Sequence, residues 1–155
     1  MRRLLERSRS ASALVILLVL VAAFSVASGQ FLSADNLVTV ALQTSILAIV
    51  AIGMTFTIIT GGIDLSVGSV VALAGAVAAG LATRQGLSTP LAIGGGLLVG
   101  VAVGALSGML VAFGRLPPFV ATLATMAIAR GLTLVYTQGR PIAGLSASFI
   151  SLGSG

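Results

Sequence analysis

The chain of 155 residues is 57% hydrophobic and only 7% charged, and its mean hydropathy is +1.20. Because a water-soluble domain carries about 25% charged residues, this composition excludes a soluble globular protein and predicts an integral membrane protein. The apolar runs are continuous, which indicates membrane helices and not the alternating short segments of a β-barrel. The predicted fold class is all-α, a polytopic transmembrane helix bundle of about five spans.

The net charge of +5 comes from eight arginines and no lysine. Half of the arginines lie within the first nine residues, so we interpret them as membrane-topology signals and not as a nucleic-acid site. Cysteine and histidine are absent and only three residues are acidic, which removes disulfides, thiol nucleophiles and the commonest metal ligands. We therefore expect no enzymatic activity, no catalytic residue, no metal site and no cofactor.

The N-terminal segment is a polar tail, 1–12, followed by an apolar run that begins at Ala13. We interpret the tail as cytoplasmic and the segment 13–31 as an uncleaved signal-anchor helix. A cleavable signal peptide is the alternative, because the small residues SVA precede Ser28. The anchor is favoured because more spanning segments follow.

Later apolar segments have the length and composition of membrane helices. The predicted spans are 37–59, 67–83, 91–113 and 119–137. The segment 67–83 is short for a helix that must supply about 20 residues to cross the hydrocarbon core, so part of the preceding chain is expected to lie below the membrane surface. With the N-terminus inside, Arg115 would be cytoplasmic and Arg84 and Arg140 would lie outside, in keeping with the positive-inside tendency.

One carboxylate and two adjacent glycines interrupt the apolar chain at 60–68, TGGIDLSVG. Gly61 and Gly62 leave helical geometry at little cost, and Asp64 suits the N-cap of a following helix. A charge in hydrocarbon needs a partner, a helix end or a water-filled cavity. We predict a helix that ends, an irregular crossing that protein or water covers, and a new helix from about Leu65.

Polar side chains around this break are our candidates for lining a solute path. Backbone groups left unpaired by a broken helix can also bind hydroxyls or water. The alternatives stay open, because a carboxylate here can act only as a helix cap and the hydroxyls can bond to their own helix backbone. The candidates are Asp64, Ser66, Thr60 and Thr57, with Gly61 and Gly62 forming the helix break.

Arg130 is a charge inside a predicted span. It lies seven residues before Thr137, which is about 10 Å from the helix end at 1.5 Å per residue. An arginine can snorkel over part of this distance, or it can pair with Asp64 or with free carbonyls at the break. Both interpretations remain open at this stage.

Glycines recur every four residues along the segment 91–113. They are Gly96, Gly100, Gly104 and Gly108. This spacing places them on one face of a helix, where small residues let a second backbone approach closely. We predict that they serve helix packing and not ligand binding, and that the segment docks through this glycine strip.

Three stretches resemble the membrane permeases of ABC importers of the ribose, xylose and galactose type. They are GMTFTIITGGIDLSVGSVVALAG at 53–75, GRLPPFVATLATMAIARGLTLV at 114–135 and TQGRPI at 137–142. The resemblance implies a helical permease for a monosaccharide, paired with a second permease subunit as a homo- or heterodimer in the bacterial cytoplasmic (inner) membrane. It further implies cytoplasmic ATP-binding subunits, where ATP hydrolysis would occur, and a periplasmic or lipid-anchored sugar-binding protein.

Members of that family continue through further spans and carry a cytoplasmic loop that docks on the ATPase. A pattern of that kind, GGN followed by EAA and a glycine, does not occur in this sequence. We therefore expect the chain to be the N-terminal half of a permease, truncated and not competent alone. The alternatives are a small structural or assembly membrane protein, a non-functional permease fragment, or a secondary transporter with an interrupted helix.

Overall fold

The computed structural model describes residues 2–154, with side chains described within 11–153, and contains six helices in that range. Helices α1 to α6 are Arg2–Ala27, Ala34–Ile59, Val67–Arg84, Thr89–Ala112, Pro118–Thr137 and Ala147–Ser154. Residues 2–154 contain no strand, so the predicted all-α class is confirmed. Helices α2 to α5 are long and apolar enough to cross a membrane, and α1 contributes the shorter apolar segment Ala11–Ala27.

The chain divides into two compact units, one up to Ile46 and one from Leu47. In the first unit α1 ends at Ala27, four residues before the end of the predicted span 13–31, because a turn follows. The Asn36 amide donates a 2.7 Å hydrogen bond to the Phe31 carbonyl, and the Phe31 ring stacks on Phe24. Of the predicted tail 1–12, Met1 lies outside the described residues, and the backbone from Arg2 onward is part of α1.

Prolines and a left-handed residue set the ends of the later helices. Pro90 and Pro118 stand in the first turns of α4 and α5, where a missing N–H leaves no bond unmade. Helix α5 ends at Thr137 and is followed by the C-cap Gln138, whose φ of 56° is left-handed; the N–H of Gly139 donates to the Leu134 carbonyl. These are the local rules by which the sequence predicts helix boundaries.

Small residues form the interface of the second unit, in which α3 packs against both α4 and α5. The buried apolar residues are Leu73, Ala78, Ala92, Ala121 and Ala129. Most large apolar side chains point outward instead, as Leu97, Leu98 and Val101 do on α4. This distribution suits a helix bundle in lipid, where close backbone packing and not hydrophobic burial holds helices together.

The glycine strip of α4 packs at only one of its ends. A Cβ added to Gly96 would lie 2.6 Å from the Ala74 carbonyl oxygen and 2.9 Å from the Ala78 Cβ. At Gly100 the nearest atom is the Ala74 Cβ at 3.9 Å, and at Gly104 and Gly108 nothing lies within 4 Å. The predicted close approach therefore occurs at Gly96, while the other end of the strip borders open space.

Two polar contacts fasten the ends of these helices. Arg84 donates a 2.9 Å hydrogen bond from Nη1 to the Tyr136 carbonyl, and its guanidinium lies 5.1 Å from the centroid of the Tyr136 ring. The Thr89 and Ser148 hydroxyls lie 2.9 Å apart, which joins α6 to the start of α4. Helix α6, which was not predicted from the sequence, is too short to cross a membrane.

Candidate functional site

The break between α2 and α3 is real and is built by a glycine helix stop. Gly61 has a φ of +76°, its N–H donates to the Ile58 carbonyl at 2.9 Å, and the N–H of Gly62 donates to the Thr57 carbonyl at 3.0 Å. These two bonds define a Schellman motif with glycine at the left-handed position. The chain from Thr60 to Ser66 is irregular, and α3 begins at Val67.

Asp64 lies two residues before the observed N-cap of α3 and bonds to that N-cap residue. The N-cap residue is Ser66, so the expectation that Asp64 would be the N-cap, with a helix from about Leu65, was wrong in register. The Asp64 Oδ1 accepts 2.7 Å and 2.6 Å hydrogen bonds from the Ser66 N–H and Oγ–H. This is an Asx turn, in which the side chain bonds the backbone two residues on and keeps its negative charge near the positive end of α3.

Helix α5 holds the irregular segment in place through Thr122. The Thr122 hydroxyl lies 3.1 Å from the Ile63 carbonyl oxygen and 2.9 Å from that of Pro118. A Cβ added to Gly62 would lie 3.7 Å from the Pro118 Cβ, so the first turn of α5 runs close beside the break. Because a hydroxyl carries one proton, the two carbonyls share the Thr122 donor, and the contact with Ile63 ties the break to α5.

A cavity of about 430 Å³ lies beside the break. The break contributes Thr57, Thr60, Gly62, Ile63 and Asp64, α4 contributes Gly104, Ser107, Gly108, Val111 and Ala112, and α5 contributes Pro118 and Thr122. Three predicted path residues, Thr57, Thr60 and Asp64, thus lie together on one wall. The fourth, Ser66, is buried with its hydroxyl bonded to Asp64 and does not line the cavity.

Sequence reasoning missed two polar residues of this cavity, Ser107 and Thr122. Ser107 is isolated among apolar residues, and Thr122 is one of four threonines in α5, in spans where most hydroxyls bond their own helix. The available signal for Ser107 was its position between Gly104 and Gly108 on the open part of the glycine strip. Its Oγ is buried and has no hydrogen-bond partner among the side chains and backbone that the structure describes.

Arg130 takes no part in this site. The residue is exposed, and within the described residues it forms no ion pair with Asp64, whose Oδ1 is bonded to Ser66 instead. Arg130 follows Thr122 by eight residues, which is about 12 Å along α5, and this axial offset separates it from the break. The hypothesis of an Asp64–Arg130 pair is therefore wrong.

Comparison with known proteins identifies relatives along nearly the whole chain. The family model described as "Branched-chain amino acid transport system / permease component" matches residues 36–149. The ribose import permease protein RbsC of Haemophilus influenzae is 47% identical over 157 residues, which cover 99% of this chain and 47% of that protein. The Bacillus subtilis RbsC is 45% identical over 133 residues, 86% of this chain and 41% of the relative.

The D-allose transport system permease protein AlsC of Escherichia coli is 40% identical over 137 residues, 88% of this chain and 42% of that relative. The chain thus spans less than half the length of these relatives. No solved structure matches it.

Proposed function

Because this chain belongs to the family of branched-chain amino acid transport system permease components, we propose that it forms part of the translocation path of an ATP-driven monosaccharide uptake system. The observation that carries this proposal is the cavity of about 430 Å³ beside the helix break, with Asp64 and Thr57 on its wall. Small-molecule sites occupy about 300–1,000 Å³. Irregular backbone at membrane depth also requires a lining of protein or water.

The polar groups of the cavity suit a neutral solute with many hydroxyls. Its side-chain polar groups are hydroxyls and one carboxylate, with no arginine among the lining residues. The charge of Asp64 is stabilised locally by the Ser66 N–H and by the N-terminus of α3, so it needs no cationic solute as a partner. Relatives named as permeases for ribose and D-allose agree with a monosaccharide as the solute.

The remaining components follow from the family as proposals. A second permease subunit, identical or different, would complete the path in the bacterial cytoplasmic (inner) membrane. Cytoplasmic ATP-binding subunits would hydrolyse ATP, and a periplasmic or lipid-anchored sugar-binding protein would deliver the sugar. With the N-terminus in the cytoplasm, the α4–α5 connection with the exposed Arg115 would face the ATP-binding subunits.

A chimeric permease tests this function directly. The chain would replace the matched segment of the Haemophilus influenzae ribose import permease, and cells that lack their own ribose permease would express it with the partner proteins of the parent system. We expect uptake of labelled ribose that stops when ATP is depleted, with labelled leucine as the specificity control. A chimera that reaches the membrane at the parental level and imports no monosaccharide would contradict the proposal and favour a structural or assembly role.

A further inference from the structure

A second cavity lies at the N-terminal end of α4, the end opposite to the cavity beside the break. Its volume is about 950 Å³, which falls within the range of about 300–1,000 Å³ of small-molecule sites. It is bounded by the first turns of α4, the α3–α4 connection and the start of α6. With the N-terminus of the chain in the cytoplasm, this end of α4 is the outer one.

The two cavities lie on the same face of α4. Gly104 and Gly108 line the cavity beside the break, and Ile93 and Leu97 line the second one. Leu97 and Gly104 are seven residues apart, so they differ by only about 20° around the helix and lie about 10 Å apart along its axis. The face that packs on α3 is a different one, because Gly96 is rotated from Leu97 by about 100°. One face of α4 thus lines a cavity at each end, which is the arrangement expected of a helix beside a solute path.

Hydroxyl groups provide the polar lining of the second cavity, and no lining residue among the described ones is charged. The Thr89 and Ser146 hydroxyls lie 2.9 Å and 3.0 Å from the Ser148 hydroxyl, so these three groups form a chain. Its two hydrogen bonds use two of three protons, which leaves one proton to donate and oxygen lone pairs to accept. The chain can therefore bind a further group that both donates and accepts.

Ser88 adds a free hydroxyl to the same cavity. It is exposed and occupies the N-cap position of α4, yet its side chain makes no capping bond and has no hydrogen-bond partner within the described residues. A lining of neutral hydroxyls has no charge with which to select an ion. Together with the apolar side chains of Ile93 and Leu97, it suits a neutral solute that carries hydroxyls on a carbon skeleton.

We propose that this cavity is a second solute site at the outer end of the same path, where Ser88 and the hydroxyl chain of Ser148 bind hydroxyls of a monosaccharide. The identity of the solute rests on the proposed function. A sugar would occupy this site on entry and then pass along α4 to the cavity beside the break.

A cysteine at position 88 tests this site without removing a hydrogen bond of the fold. In the ribose chimera, with the cysteines of the relative's segment replaced, spheroplasts that lack the sugar-binding protein would be treated from outside with a membrane-impermeant charged methanethiosulfonate. We expect Ser88→Cys to react, and free ribose to slow the reaction while leucine does not. The matched control is Gln85→Cys, which is exposed in the same connection and does not line the cavity; ribose should leave its labelling rate unchanged.

Three labelling results would overturn the outer site. An S88C thiol that never reacts is covered by protein or lipid. A thiol that reacts at the same rate with and without ribose faces water but no bound sugar. Equal slowing of S88C and Q85C by ribose would show a movement of the whole connection and not a sugar held at Ser88.

Transport kinetics separate this site from the proposed function. We expect Ser88→Ala to raise the KM for ribose about fivefold, the effect of one lost hydrogen bond, with parental maximal rate and membrane level, whereas Gln85→Ala should match the parent. An unchanged KM in S88A would overturn the role of Ser88 and leave the function intact. A chimera that imports no ribose, but in which ribose still protects S88C, would overturn the function and leave the site.

Discussion

The Thr122 hydroxyl lies 3.1 Å from the Ile63 carbonyl oxygen, and this contact joins α5 to a segment 59 residues earlier in the chain. The break at Thr60–Ser66 is thus fixed at three points. Gly61 ends α2 in a left-handed turn, Asp64 bonds the first residue of the α3 cap, and Thr122 binds the carbonyl between them. The cavity wall is consequently an ordered structure, although it lies between two membrane helices.

Replacing Thr122 by valine should remove the contact between its hydroxyl and the Ile63 carbonyl. Valine keeps the shape of threonine but removes the hydroxyl that the Ile63 and Pro118 carbonyls share, and one lost hydrogen bond costs about 0.5–1.5 kcal/mol. We expect a lower thermal unfolding temperature in detergent for T122V and near-parental behaviour for T122S. The control is Thr133→Val, which removes only a bond within α5, to the Ala129 carbonyl. Equal losses in T122V and T133V would show that the contact with Ile63 contributes nothing.

Two substitutions of Asp64 separate capping from a role on the path. D64A removes the acceptor for both Ser66 donors and should destabilise the protein by about 1 kcal/mol. D64N keeps an acceptor oxygen for the turn, so we expect most of the stability to return. Ribose uptake by the chimera should fall in both variants, because an amide accepts a sugar hydroxyl less strongly than a carboxylate does. If D64N took up ribose at the parental rate, Asp64 would act only as a helix cap.

The two ends of the glycine strip should respond differently to added methyl groups. In G96A the new Cβ would stand 2.6 Å from the Ala74 carbonyl oxygen, so α3 and α4 must separate at a cost of about 1–3 kcal/mol. G104A adds the same methyl group where nothing lies within 4 Å, and its stability should be unchanged. The two unfolding temperatures in detergent give the comparison. A G96A protein as stable as G104A would show that the helices do not pack at this glycine.

The arginines of α3 and α5 should differ in their contribution to stability. Arg84→Leu loses the hydrogen bond to the Tyr136 carbonyl and the contact with its ring, for which we expect a loss of about 0.5–1 kcal/mol. Arg130→Leu removes a charge that has no ion pair within the described residues, so folding and membrane level should be unaffected. Denaturant or thermal unfolding of the two variants side by side measures this. If R130L lost more stability than R84L, Arg130 would have an ion-pair partner after all.

Local chemistry made most of the fold predictable. The position of the break follows from Gly61 and Gly62, because a left-handed helix stop needs only its own glycine, and the prolines at 90 and 118 mark helix starts. The register of the cap was harder, because an aspartate can bond its own turn from more than one position. The observed N-cap is Ser66 and not Asp64.

Long-range relations could not be predicted from a single sequence. The hypothesis that Asp64 pairs with Arg130 did not take into account that Arg130 lies about 12 Å along α5 from Thr122, which contacts the break. Only the packing of the helices reveals this offset. Ser107 looked like any serine in an apolar span, and its unpaired hydroxyl becomes visible only when the facing cavity wall is known. The glycine strip was predicted to pack along its length, but Gly104 and Gly108 meet no neighbour, and the division into a packed end and an open end depends on where α3 crosses α4.

The most direct test of the central claim is the water accessibility of the wall formed by the break. In the assembled cysteine-free chimera, Thr57→Cys would face the cavity, whereas Ile58→Cys, at the next residue and 65% exposed on the apolar surface, would face away from it. We predict that a membrane-impermeant charged thiol reagent labels T57C and leaves I58C unmodified. An unreactive T57C, or equal labelling of both cysteines, would contradict a water-filled solute passage beside this helix break.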